Sequence, residues 1–289
     1  MGWDNLDLSQ GISTEVVTFQ GRNGGIPAEV YRPEGNRLRP AVVFLHGGGF
    51  FGGSIKTVAN PCRRLAQKAD AVVVSVDYRL APEFPFPAGL HDAYDAVLAV
   101  KKQGERWGID RSRIVVAGDS AGGNLAAGCC LLDRKQVNPI VAAQLLVYPV
   151  VDLRKGDNAC PWSEQAYDVQ SAGEWIWPAI LWAKNNRGSL DRNYLNGHPD
   201  DDPLVSPLAD PRPQDFPPTL VITAEYDYLR VQGEAFAESL AQAGVLVRAV
   251  RFQGMDHAFL DKLGLFPQAA LAVDEMAGFL RGEILQRVL

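Results

Sequence analysis

Six short apolar runs, separated by longer stretches with helical periodicity, are the feature of this chain that most restricts its fold. The runs occupy residues 41–45, 71–76, 114–117, 142–147, 220–224 and 247–252. Their apolar residues are nearly continuous, which is typical of strands buried on both faces of a sheet. Because helical segments alternate with them, we expect a mostly parallel sheet with right-handed crossovers and helices on its faces.

The remaining elements complete this sheet and its flanking layers. Two alternating segments, 15–19 and 28–32, flank a turn-rich stretch and predict an antiparallel hairpin, which brings the expected number of strands to eight. The sequence thus predicts a single α/β domain over residues 1–289, with 47% hydrophobic residues to fill its core. Helical patterns cover residues 57–68, 89–103, 121–134, 231–243 and 267–285.

Residues 152–207 interrupt this alternation after the sixth strand and predict an insertion. It holds four of the six tryptophans and no convincing strand. Ser171 and Glu174 have the spacing of a capping box, so a helix should begin there and run through the apolar residues 175–182, with a kink at Pro178. A helix that is apolar almost all round is either packed on both sides or forms a lid whose inner face shapes an apolar pocket.

Composition narrows the classes of function. The formal charge of −6 and a pI near 5.3 argue against nucleic acid or an anionic membrane as a partner, because both require clustered lysine and arginine. The chain shows neither a secretory signal nor an apolar window long enough to span a membrane, so we expect a cytoplasmic protein. The four cysteines lack CxxC spacing, and we expect no disulfide framework, no metal ion and no cofactor.

A GxSxG motif at residues 118–122 predicts a nucleophilic serine, Ser120. The motif follows the run 114–117 and precedes a helical pattern, which is the context of a nucleophile elbow. Its two glycines permit the sharp turn that lifts the serine hydroxyl above the carboxyl edge of the sheet. The alternative is an ordinary serine at a helix N-terminus, so the motif needs supporting residues elsewhere.

Three consecutive glycines follow His46, directly after the run 41–45. Backbone N–H groups in such a loop can point at a developing oxyanion, because no side chain blocks the approach. Ala121 should supply a further N–H from the position after the serine. A phosphate-binding loop is the competing interpretation, but the GKS/T ending and the GxGxxG spacing of such loops are both missing. Spacing alone leaves open which of the glycines 47–49 are donors.

A serine nucleophile needs a base, and the chain has four histidines. His257 follows the last expected strand, where a loop emerges at the same carboxyl edge as Ser120. His46 belongs to the glycine loop, His91 to an early helix away from the strand ends, and His198 to the insertion. His257 is therefore the candidate general base.

The acid that orients the histidine should follow the penultimate strand, 220–224. Asp227 lies just beyond the end of this run, and Glu225 and Asp256 are its rivals. The order serine, aspartate, histidine along the chain is that of the α/β-hydrolases and differs from two well-known protease orders. We therefore predict an acyl-transfer enzyme with Asp227 as the orienting acid.

These motifs resemble the hormone-sensitive-lipase-like family of esterases, the HGGG and GDSAGG group. The resemblance spans roughly residues 40–259 and includes HGGG at 46–49, DYRLAPE at 77–83, GDSAGG at 118–123, EYD at 225–227 and GMDHAF at 254–259. It implies an α/β-hydrolase fold and a serine carboxylesterase that acts on small-molecule esters of short to medium acyl chain. The catalytic triad and the oxyanion donors that it implies are Ser120, Asp227 and His257, and Gly48, Gly49 and Ala121.

The resemblance also implies supporting features. Glu83 and residues 77–79 should brace the active-site loops. Family members usually carry a longer N-terminal helical segment, so we expect a reduced helical cap built mainly from residues 152–207 and a more open pocket. Tyr228 and Val231 stand where the family usually has a proline and a second acid. A homodimer through an edge strand or the cap is common in the family, and the sequence leaves this open.

Two alternatives to ester hydrolysis remain at this point. Amidase or acyltransferase activity would use the same triad, because one oxyanion hole serves every acyl transfer. A non-catalytic ligand-binding protein on the same scaffold is the other alternative. Relatives of that kind have lost the catalytic histidine, and His257 is present here.

Overall fold

The computed structural model describes residues 5–168, 173–185 and 190–284. In this part of the chain one sheet has the strand order β1-β2-β4-β3-β5-β6-β7-β8. β1 pairs with β2 and β2 with β4 in antiparallel fashion, whereas all later pairs are parallel. The predicted hairpin and the mostly parallel sheet are confirmed. The strands are β1 Ile12–Gly21, β2 Gly24–Pro33, β3 Arg39–Leu45, β4 Val72–Val76, β5 Ile109–Asp119, β6 Val141–Val147, β7 Thr219–Tyr226 and β8 Val247–Asp256.

Helices flank this sheet and bury its strands. Neighbouring residues of a strand point to opposite faces, so Val42 and Val43 of β3 belong to two different apolar cores. Both valines are fully buried, which explains why the sequence shows no polar alternation here. One core includes α1 and α6, and the other includes α2, α3 and α5. The helices are α1 Ala59–Ala69, α2 Ala88–Gln103, α3 Ala121–Asp133, α4 Gly173–Asn185, α5 Arg230–Gln242 and α6 Pro267–Phe279.

Two strands near the site extend further than the apolar runs that predict them. β7 ends at Tyr226 rather than at residue 224, and β8 ends at Asp256 rather than at residue 252. Tyr226 pairs with Asp256 after an irregularity in the ladder, so backbone pairing continues where the side chains are no longer apolar. As a result Asp227 and His257 are the first residues after two neighbouring strands.

The insertion after β6 contains no strand in its described residues. It consists of short 3₁₀ turns, α4 and a π-helical turn at Leu190–Leu195. α4 is described from Gly173 onward, and the predicted capping residue Ser171 lies outside the described residues. No helix in the part of the chain that the structure describes is both long and apolar enough to cross a bilayer.

The described side chains of α4 pack on one side of the helix. Ile180 is buried in a small apolar cluster with Tyr167 of the insertion and Tyr226 of β7. Pro178 and Ala179, on the same helix, are exposed. The described residues of α4 therefore do not fit a helix that is packed on both sides.

Candidate active site

The serine of the GxSxG motif sits on a strained turn between β5 and α3. Ser120 has φ 54° and ψ −118°, a backbone conformation that residues with side chains rarely adopt. A Cβ on Gly118 would lie 2.3 Å from the carbonyl oxygen of Gly122, and a Cβ on Gly122 would lie 2.0 Å from that of Leu45. The turn therefore requires glycine at both positions, as expected for a nucleophile elbow.

The structure brings Ser120, His257 and Asp227 into hydrogen-bonding contact. The Ser120 hydroxyl donates to His257 Nε2 at 3.0 Å, and His257 Nδ1 donates to Asp227 Oδ2 at 2.6 Å. These residues follow β5, β8 and β7, which end at the same edge of the sheet. The serine, base and acid that the sequence predicts are thus adjacent in space, 137 and 30 residues apart in the chain.

Asp227 is buried and both of its carboxylate oxygens have donors. Oδ2 accepts from His257, and Oδ1 accepts from the backbone N–H of Leu229 at 2.9 Å. The Tyr167 hydroxyl donates to the Asp227 carbonyl oxygen at 2.9 Å, so the insertion also contacts this loop. These contacts fix the carboxylate in one orientation toward the imidazole.

The two rival acids have other environments. Glu225 Oε2 accepts from the backbone N–H of Gly254 at 2.6 Å, which joins the last residues of β7 and β8. The Asp256 side chain is exposed. Asp227 is the acid that contacts His257 Nδ1 in the structure.

The other three histidines lie in different surroundings. His46 is fully buried and stacks on Tyr78 with ring centroids 4.4 Å apart. Burial lowers the pKa of His46, which favours a neutral imidazole at neutral pH. His91 lies on α2, and His198 Nε2 is 2.7 Å from Asp202 Oδ2 in the insertion.

The glycine loop after β3 presents its N–H groups in two different ways. Gly47 N–H donates to Asp119 Oδ1 at 2.8 Å. For Gly48 and Gly49 N–H no acceptor is found among the described residues. Ala121, as the first residue of α3, has an N–H without an intrahelical acceptor. The carboxylate of Asp119 thus explains why Gly47 differs from the two glycines that the family resemblance selects.

Gly48 cannot be replaced without moving the loop. Its φ is +131°, and a Cβ on it would lie 2.1 Å from the carbonyl oxygen of Gly52. That carbonyl belongs to the turn in which Gly52 N–H donates to the Gly48 carbonyl at 3.0 Å. A Cβ on Gly122 would lie 2.7 Å from the carbonyl oxygen of His46, so the start of this loop lies next to the first turn of α3.

The segment after β4 braces the glycine loop, as the resemblance implies for residues 77–79. The Tyr78 hydroxyl donates to the His46 carbonyl at 2.6 Å. Arg79 forms a two-pronged ion pair with Asp92 of α2 at 2.7 and 2.8 Å. Glu83 is a correction to that expectation: its side chain is exposed, and it takes part in no hydrogen bond found among the described residues.

Three carboxylates influence the charge state of the His257 imidazole. Burial lowers the pKa of His257, but the Asp227 carboxylate raises it, Asp119 and Asp261 add to this, and the net pKa lies above its ordinary value. Burial raises the pKa of Asp119, and the charge of Asp261 raises it further. Burial also raises the pKa of Asp261. The site therefore favours a positive charge on His257, which the transfer of a serine proton would create.

Sequence reasoning misses Asp119 and Asp261 as members of the site. Asp119 lies inside the GxSxG motif, and its position beside the nucleophile is the signal that could have identified it. Asp261 lies in a 3₁₀ turn, Phe259–Lys262, just after His257. Its electrostatic effect on His257 depends on a turn with the left-handed residue Ala258 at φ 64°, which a sequence pattern does not reveal.

Comparison with known proteins identifies the family. Residues 42–261 match the family of proteins with the alpha/beta hydrolase fold, which is well over half of the chain. The chain belongs to this family, in its hormone-sensitive-lipase-like group. The predicted α/β-hydrolase fold is thereby confirmed.

Individual relatives match most of this α/β-hydrolase chain. It is 36% identical over 263 residues to the carboxylesterase NlhH of Mycobacterium tuberculosis, covering 90% of this chain and 79% of that one. It is 33% identical over 241 residues to an ethyl acetate hydrolase of Pseudomonas putida, covering 81% and 71%. The solved structure of a hyperthermophilic esterase from Pyrobaculum calidifontis is similar, with 40% identity, a TM-score of 0.80, and coverage of 93% of this chain and 85% of the other.

Proposed function

We propose that this α/β-hydrolase is a serine carboxylesterase that hydrolyses short- to medium-chain carboxylic esters. The observation that carries the proposal is the contact series from Ser120 Oγ to His257 Nε2 at 3.0 Å and from His257 Nδ1 to Asp227 Oδ2 at 2.6 Å. Nucleophile, base and orienting acid within hydrogen-bonding distance are what acyl transfer to a serine requires.

The mechanism uses this geometry in two steps. His257 accepts the proton of Ser120 as the serine oxygen attacks the ester carbonyl carbon, and then donates it to the leaving alkoxide. Water, deprotonated by the same imidazole, then attacks the acyl-enzyme, and the imidazolium returns this proton to Ser120 Oγ as the carboxylic acid is released. The oxyanion of each tetrahedral intermediate accepts hydrogen bonds from the backbone N–H groups of Gly48, Gly49 and Ala121.

The names of relatives support an ester over an amide. The carboxylesterase of Mycobacterium tuberculosis and the ethyl acetate hydrolase of Pseudomonas putida both act on esters by name, and the second acts on a very small one. Residues 152–207 serve in this proposal as the cap. The one-sided packing of α4 beside β7 supports that role, because β7 carries the loop of Asp227.

The test is hydrolysis of p-nitrophenyl esters from acetate to palmitate by the wild type and by Ser120→Ala. We expect turnover of the short esters, and a loss of about 10⁴-fold or more in kcat for the variant. Ser112→Ala is the matched control, because Ser112 is exposed near the opposite end of β5.

Three outcomes separate the candidate functions. Ester turnover that depends on Ser120 supports the carboxylesterase. Hydrolysis of p-nitroanilides in preference to the matching esters would identify an amidase instead. A folded wild type that is inert toward both series would point to the non-catalytic alternative. A cytoplasmic location, the lack of a nucleic-acid or membrane partner and the question of a homodimer stay predictions of the sequence.

A further inference from the structure

A cavity of about 650 Å³ lies between the first part of the insertion and the start of α5. Its lining includes Leu153, Pro161 and Trp162 from the insertion, and Tyr228 and Val231 from the start of α5 and the loop before it. Neither the serine nor the histidine of the proposed triad lines it. The volume is in the range of small-molecule sites, which are about 300–1,000 Å³.

The wall of this cavity is built from buried polar groups that are already satisfied. Asp152 is 2% exposed, forms an ion pair with Arg154 at 2.8 Å and accepts from the Cys160 N–H at 2.5 Å. Gln232 Oε1 accepts from the N–H groups of Val151 and Asp152, both at 2.8 Å. The wall is therefore fixed in position before any ligand binds, which lowers the ordering cost of binding.

The cavity combines aromatic surfaces with a cation. Lys184, in the last turn of α4, places Nζ 3.9 Å from the centroid of the Trp162 ring. Among the charged residues of the lining, Arg154 is paired with Asp152, and Lys184 is the cation that lies against an aromatic ring. Because Lys184 already lies over the Trp162 ring, a ligand that offers a flat apolar ring to Tyr228 and a negative charge to Lys184 complements this surface.

The cavity is joined to the aspartate of the proposed triad by direct contacts. Trp162 Nε1 donates to the Tyr167 hydroxyl at 3.1 Å, and that hydroxyl donates to the Asp227 carbonyl at 2.9 Å. Tyr228 follows Asp227 in the chain, and its ring centroid lies 6.2 Å from that of His257. A ligand that packs on Tyr228 would contact the residue that follows Asp227 in the chain and whose ring lies near that of His257.

We propose that this cavity is a second ligand site, separate from Ser120, that binds a small aromatic carboxylate. Such an acid is the product of hydrolysing an ester of an aromatic acid, so the site would let a product of the proposed reaction bind beside the aspartate loop. Binding itself does not depend on the proposed esterase function, because the cavity wall does not include Ser120 or His257.

The test is calorimetric titration of the full chain with 2-naphthoate, with 2-naphthamide as the neutral analogue. We expect one saturable site for the acid and affinity for the amide weaker by about tenfold or more, because the charge-assisted contact to Lys184 is lost. Lys184→Met should weaken binding of the acid by a similar factor. Lys135→Met, on an exposed residue just beyond the end of α3, should leave it unchanged.

A second pair of variants tests the location. Val231→Trp should abolish binding by filling the cavity, and Val137→Trp, at a residue that is 95% exposed, should not. Ser120→Ala should bind 2-naphthoate like the wild type. Thermal unfolding of each variant checks the fold, and Lys184→Met keeps the test valid if Val231→Trp unfolds.

Distinct results would overturn the proposal. Equal affinity for acid and amide would show that Lys184 does not contribute to binding. No detectable binding at millimolar 2-naphthoate would show that the cavity is not a site for an aromatic carboxylate. Binding that is lost in Ser120→Ala but kept in Lys184→Met would place the ligand in the serine cleft. Hydrolysis of p-nitrophenyl acetate, measured in parallel, shows separately whether the proposed esterase function holds.

Discussion

Replacing Asp227 by asparagine is the most informative single change, because it alters charge and hydrogen bonding with almost no change of shape. Oδ1 of Asp227 accepts from Leu229 N–H at 2.9 Å, and Oδ2 accepts from His257 Nδ1 at 2.6 Å. An asparagine in the same place keeps its oxygen on Leu229 and turns its NH₂ group toward the imidazole. His257 must then accept at Nδ1 and carry its proton on Nε2, where it cannot take the proton of Ser120.

The magnitude follows from this geometry. Turning the amide over would restore the tautomer but would set its NH₂ group against the Leu229 N–H, in a residue that is 1% exposed. An unsatisfied buried donor costs about 1–3 kcal/mol, so the competent orientation is a minor one. The charge that stabilises the imidazolium is lost as well. We expect kcat/KM to fall by about 10³–10⁴-fold, which corresponds to about 4–5 kcal/mol of transition-state stabilisation.

The assay is the initial rate of p-nitrophenyl acetate hydrolysis, with Glu225→Gln and Asp256→Asn as matched controls. Both controls replace a nearby acid by its amide. Glu225 accepts a hydrogen bond from the Gly254 N–H, and Asp256 is exposed. We expect each to stay within about threefold of the wild type, since neither contacts the imidazole. A folded Asp227→Asn enzyme within tenfold of the wild type would refute the assignment, as would a larger loss in either control.

Further predictions concern the pH profile, the elbow and the insertion. The reaction needs a neutral His257, and the pKa of His257 is raised, so kcat/KM should fall as the pH drops through a midpoint above about 6.5. Asp261→Asn should move that midpoint to lower pH, because it removes a charge that raises the pKa of His257. An unchanged midpoint would contradict this account. In urea unfolding, Gly122→Ala should lower the free energy of unfolding by about 3 kcal/mol or more, because its Cβ would lie 2.0 Å from a carbonyl oxygen. Gly278→Ala, in a helix with open space around the Cβ, should raise the free energy of unfolding by about 0.5–1 kcal/mol. Equal effects of the two substitutions would refute the close contact at Gly122. Tyr167→Phe should lower the free energy of unfolding by about 1 kcal/mol in the same assay, because it removes the hydrogen bond to the Asp227 carbonyl. It should also lower kcat several-fold, since the loop of Asp227 is then less restrained. An unchanged kcat would show that this contact of the insertion does not affect catalysis.

The buried strands could be predicted because their signal is local. Residues such as Val42 and Val43 are buried on opposite faces of one sheet, so the sequence must be apolar at every position of the run. Alternating helices then leave few topologies. The same logic predicts that Ser120, Asp227 and His257 meet, because each follows a strand and parallel strands end at one edge.

The parts of the site that escaped prediction depend on backbone geometry and on pairs of residues far apart in sequence. Asp119 holds Gly47 across 72 residues, and this contact, rather than any local pattern, separates the N–H of Gly47 from those of its neighbours. Glu83 is the opposite case. The motif alone implies that Glu83 braces the active-site loops, but its side chain is exposed in the structure. A family motif therefore predicts the backbone turns that family members share. The charged groups near His257 cannot be predicted in this way, because they depend on how this particular chain packs.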